Sequence, residues 1–106
     1  MDVLFLHGNY PGQFWHLAEG MGRRGDNRVV FLTNRSDPET HRLAGVDVRR
    51  YELHREVSEA GHSYLRSSER AVLTGQAVVR SLSVLLQEGF RPRLVIAHGG
   101  NGLLLF

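Results

Sequence analysis

Two histidines in this chain occupy the same kind of place. Val3-Leu4-Phe5-Leu6 runs into His7-Gly8, and Leu94-Val95-Ile96-Ala97 runs into His98-Gly99-Gly100. Each is an apolar, strand-like run that ends in an imidazole followed by glycine. An imidazole titrates near neutral pH, so it can donate to a hydroxyl or a phosphate, or act as a general base. Glycine beside it lets a ligand approach the backbone closely. The segment His7-Gly8-Asn9-Tyr10-Pro11-Gly12 leads into a predicted helix, where backbone N–H groups and the positive end of the helix dipole suit a phosphate or sugar. Taken alone, it reads equally well as an ordinary strand-to-helix turn.

Other chemistries lack their residues. Gly8 and Gly12 do not have the G-x-G-x-x-G spacing of a dinucleotide fingerprint, and the Gly-Lys-Ser/Thr ending of a P-loop is missing. The second strand ends in Thr33-Asn34-Arg35, where a nicotinamide-binding domain needs an acidic residue for the ribose. No nucleophile elbow, paired-carboxylate site or Ser/His/Asp arrangement is present. With no cysteine, disulfides and thiolate metal sites are excluded; ligation by histidine stays open, with no His-x-x-x-His or clustered His/Asp pattern to favour it. His54, Arg55, His62 and Tyr64, with Arg66, Glu69 and Arg70 after them, follow a third strand and are candidates for holding an acidic or sugar acceptor. The plainer reading is a solvated loop and a charged helix face.

The elements that must position these groups follow from hydrophobic pattern. Residues 2–7 read as a strand buried on both faces, 29–33 as a second strand, 46–51 as a third, more exposed one, and 94–97 as a fourth. Between the first two, a helix is predicted from Pro11 or Gly12, with Phe14, Leu17, Ala18 and Met21 on its core face. Trp15 is expected against the sheet, Arg23-Arg24 in the last turn and Gly25 as the left-handed cap. A long helix then carries Val72, Leu73, Val78, Leu82, Leu85 and Leu86 toward the core and ends at Gly89, with Pro92 barring continuation. Right-handed crossovers in this order give an α/β, Rossmann-like parallel sheet of order 3-2-1-4 flanked by helices. Its switch point lies between strands one and four, so His7 and His98 flank one crevice.

Composition sets the outer bounds. The 106 residues suffice for one domain, and a net charge of +2 with no basic block gives no basis for nucleic-acid binding. No apolar run approaches the roughly 20 residues that cross a bilayer, and the amino terminus has no signal-peptide pattern, which predicts a cytoplasmic protein. The chain stops on Leu103-Leu104-Leu105-Phe106. That apolar end predicts a domain incomplete at its C-terminus, whose exposed tail would drive dimerisation.

Leu4-Phe5-Leu6-His7-Gly8-Asn9-Tyr10-Pro11-Gly12-Gln13-Phe14 resembles the opening of bacterial glycosyltransferases of family 4, as do His62-Ser63-Tyr64-Leu65-Arg66, Glu69-Arg70-Ala71-Val72-Leu73, Gly75-Gln76-Ala77-Val78 and Ile96-Ala97-His98-Gly99. The resemblance runs in order along nearly the whole chain. It implies the N-terminal domain of a retaining GT-B enzyme of polysaccharide biosynthesis, which moves a sugar from a nucleotide-sugar donor to a saccharide or lipid-linked acceptor without a metal. It implies that His98 contacts the donor sugar and that the turn from Gly8 through Asn9 to Gly12 lies near the donor diphosphate. Beside these, Gly99 and Gly100 clear space next to His98 and are expected along the donor, and His7, His54, His62 and Tyr64 are weaker candidates for the acceptor side. Family members carry a Pro-Gly-Trp-Gly-like sequence where this chain has Gly99-Gly100-Asn101-Gly102. The resemblance also implies a second GT-B domain with a Glu-x7-Glu-type donor motif, which the chain does not contain. The fragment alone is therefore expected to be inactive, and the whole enzyme to be cytoplasmic or peripheral on the inner membrane face. The rival expectation is a non-catalytic α/β interaction or phosphate-ligand-binding module.

Overall fold

The computed structural model describes residues 1–8, 14–34, 42–53 and 63–98, without the side chains of Ser63, Tyr64 and Ser67. Four parallel strands form one sheet: β1 (Asp2–Leu6), β2 (Arg28–Thr33), β3 (Val46–Arg50) and β4 (Leu94–Ala97). Two helices connect them, α1 (Trp15–Gly22) after β1 and α2 (Ser63–Gln87) after β3. The strand order is β3-β2-β1-β4, as the crossover argument predicts. β1 thus lies between β2 and β4, in register as Leu4 beside Val30 on one side and Val95 on the other.

Strands buried on both faces need apolar side chains in both alternating sets. In β1 and β2, Leu4, Leu6, Val30 and Leu32 pack with Ala77, Val78 and Leu85 of α2 and with Phe90. Val3, Phe5, Val29 and Phe31 pack on the other face with Ala18 of α1, Phe14 and Met21. Phe5 and Phe31 stack with ring centroids 5.7 Å apart. The two helices therefore cover opposite faces, which is the doubly wound arrangement. Among the described residues no helix is long and apolar enough to cross a membrane.

The ends of the helices differ from expectation in informative ways. Gly89 (φ +88°) closes α2 as predicted: Phe90 N–H donates to Leu85 O at 3.0 Å and Gly89 N–H to Leu86 O at 3.1 Å. This is the Schellman pattern, completed by contact of buried Phe90 with buried Leu85. α1 stops without a left-handed residue. Arg23 stays right-handed as its cap, Arg23 N–H donates to Glu19 O, and the Asn27 side-chain amide donates to Met21 O at 3.1 Å. Gly25 is thus no cap, and Arg23-Arg24 lie past the last turn. The glycine that matters is Gly22, where a Cβ would meet the Ala44 carbonyl oxygen at 2.8 Å. It lets α1 end against the turn that opens β3.

Four apolar side chains assigned to the core lie outward. Leu17 and Trp15 are exposed on α1, and Val72 and Leu86 on α2. Trp15 does not pack on the sheet; its ring stacks on His16, with Glu19, Gly20 and Arg23 lining a shallow hollow beside the pair. At the rim of the sheet, Arg49 of β3 makes a two-pronged contact with Glu88 just after α2, at 2.6 and 2.7 Å. Pairing with Glu88 and Asp47 raises the Arg49 pKa and lowers that of Glu88.

Candidate functional site

The last register pair between β1 and β4 is Leu6 with Ala97, so the next residues are His7 and His98. The ladder extends one step past both strands. His98 N–H donates to Leu6 O at 3.0 Å, and His7 N–H donates to Leu32 O at 3.2 Å. Fixed backbones bring the two imidazoles together, with ring centroids 4.6 Å apart and planes tilted by 32°. Phe14, just before α1, sets its ring edge-on to His7 at 5.5 Å. His7 is half-buried and His98 exposed. Burial, and then the charge of His98, lowers the His7 pKa below its ordinary value near 6.5.

The turn after His7 is held from the neighbouring strands. Thr33, fully buried at the end of β2, donates its hydroxyl to Gly8 O at 3.1 Å. Tyr51 continues the ladder from β3 by donating its N–H to Thr33 O at 2.9 Å. Its phenol is buried, with the hydroxyl 3.7 Å from where a Cβ on Gly8 would lie. Burial pushes the Tyr51 pKa up to about 12, so the phenol is neutral at physiological pH and keeps its proton for hydrogen bonding. Tyr51 and Thr33 were not singled out as site residues from sequence. The available signal was a polar residue closing an otherwise apolar buried strand, and an aromatic one position beyond its neighbour.

Of the residues expected at the site, His7, Gly8 and His98 converge here. Asn9, Gly12, Gly99, Gly100, His54 and His62 lie outside the described residues. Tyr64 falls in the first turn of α2, not in the loop before it. Phe14 gives α1 no side-chain cap, and no acidic residue lies in its first turn. The positive end of that dipole therefore has no carboxylate in the helix's first turn to offset it. Among the described residues, no group of three His, Cys, Asp or Glu could hold a metal ion.

A family model described as the glycosyl transferase family 4 group matches residues 25–106, which takes in β2, β3, α2, β4 and His98. The chain belongs to the glycosyl transferase family 4 group. β1, the His7-Gly8 turn and α1 precede the matched residues. No curated protein and no solved structure gave a match. Membership in the glycosyl transferase family 4 group points, at a coarse level, to glycosyl transfer.

Proposed function

We propose that this chain is the N-terminal, Rossmann-like domain of a retaining GT-B glycosyltransferase, and that its β1/β4 crevice receives part of a nucleotide-sugar donor. The observation that carries the reading is the convergence of His7-Gly8 and His98 at the switch point of the sheet, in a member of the glycosyl transferase family 4 group. In this reading the donor diphosphate lies along the turn that starts at Gly8, with Asn9 and Gly12 beyond it. Backbone N–H groups stabilise the negative charge that builds on the diphosphate as the sugar leaves. Such preorganised donors act most strongly where water is excluded, which a facing second domain would accomplish. His98 donates to a hydroxyl of the sugar and fixes its orientation, with Gly99 and Gly100 giving the sugar room. His7, His54, His62 and Tyr64 form the acceptor side, for a saccharide or lipid-linked acceptor. No metal enters the scheme.

Thr33 bonds the Gly8 carbonyl and Tyr51 bonds Thr33 through its backbone N–H, so the two act as positioning residues for the turn. The test is His98→Ala in the full-length protein. Sugar transfer or donor hydrolysis should fall at least about tenfold with the fold intact, as loss of one oriented donor group requires. Unchanged turnover would remove His98 from the mechanism.

A further inference from the structure

The His7 and His98 rings stand 4.6 Å apart, close enough for the charge on one to act on the other. The parallel ladder fixes both backbones, through His98 N–H to Leu6 O and His7 N–H to Leu32 O, so the rings cannot separate by more than side-chain rotation allows. A proton on one ring disfavours a proton on the other. Among the described residues, β4 presents His98 to His7, β2 presents the Thr33 hydroxyl, and the segment before α1 presents the apolar Phe14 ring. At the end of β3 stand the neutral Tyr51 phenol and the pair Arg50–Glu52, which bond one another on the exposed side.

We propose that the His7–His98 pair is a proton-coupled anion site, which takes up a proton from solvent when a phosphoryl oxyanion lies across the two rings. This rests on the reading that the donor diphosphate occupies the crevice. The proton passes from bulk water to a ring nitrogen of His7, and no covalent bond to the anion forms. The anion's negative charge offsets the repulsion between two imidazolium rings. By linkage, affinity for the anion then falls as pH rises between the free and bound His7 midpoints, by up to about tenfold per pH unit. Departure of a nucleoside diphosphate would be accompanied by release of that proton. Burial acts in the same direction as that repulsion, since it holds the His7 imidazole low.

The experiment follows the imidazole Cε1–H resonances of the 106-residue chain by NMR through a pH titration, without and with saturating inorganic diphosphate. The His7 midpoint is expected to rise by about one pH unit or more on binding. In His98→Gln the free His7 midpoint should be higher and the diphosphate-induced rise smaller. Diphosphate that shifts the Gly8 and His98 amides but leaves the His7 midpoint in place overturns the coupling and spares the donor reading. Diphosphate that shifts neither amide overturns both. A diphosphate-induced rise of unchanged size in His98→Gln overturns the role of the pair.

Discussion

Gly45 and Gly89 both adopt a positive φ, at +73° and +88°, yet their surroundings differ sharply. A Cβ on Gly89 meets nothing within 4 Å, whereas one on Gly45 would lie 2.5 Å from the Gly22 carbonyl carbon. Alanine at either position carries the left-handed penalty of about 1–2 kcal/mol. At Gly45 backbone stands on both sides of the clash, so α1 and the turn into β3 must move apart, and overpacking of this kind adds about 1–3 kcal/mol. The expectation is a loss of about 1–2 kcal/mol for Gly89→Ala and roughly 2–5 kcal/mol for Gly45→Ala. A domain of this size has on the order of 5–15 kcal/mol in all. Urea unfolding followed by far-UV circular dichroism, with a slope of about 1–3 kcal/mol per molar, separates the two midpoints clearly. Gly25→Ala is the internal control: its φ is not positive and its Cβ would stand in open space, so it should be neutral or slightly stabilising. Equal losses at Gly45 and Gly89 would refute the close approach of α1 to the β3 turn.

Acid should weaken the fold through His7. Its folded pKa lies below the unfolded value near 6.5, so the unfolded chain binds the proton more tightly and stability is lost as pH falls through that interval. Urea midpoints at a series of pH values will measure this, and His98→Gln should shrink the loss because it removes one of the two causes. Phe90→Ala deletes a fully buried ring that seals α2 against β1 and β2, so it should cost about 3–5 kcal/mol by the same unfolding measurement. Arg49→Met removes the rim ion pairs with Asp47 and Glu88, both with partly exposed partners, and should leave the urea midpoint nearly unchanged.

The sheet order was readable from the sequence because crossover handedness leaves few alternatives once strands and helices are placed. The meeting of His7 and His98 followed from that order alone, since both residues stand one position beyond paired strands. What the pattern misplaced were margins. Leu17 lies on the edge of the arc defined by Phe14, Ala18 and Met21, and in a two-turn helix that edge faces solvent. Val72 and Leu86 are two heptads apart on one flank of α2, outside the arc that carries Leu73, Ala77 and Val78. Gly89 was legible as a cap because Pro92 and the end of an apolar stripe bracket it; Gly25 had no such bracket, and Asn27 closes α1 instead. The roles of Thr33 and Tyr51 depend on three strands lying in register, which no local pattern encodes.

In the proposed function a nucleotide-sugar donor enters between the ends of β1 and β4. The most direct measurement is amide chemical-shift mapping of the 15N-labelled chain as a nucleoside diphosphate is added. The largest changes are expected at His7, Gly8 and His98. Changes confined to the Trp15–His16 surface of α1, or none at saturating nucleotide, would contradict the proposed function.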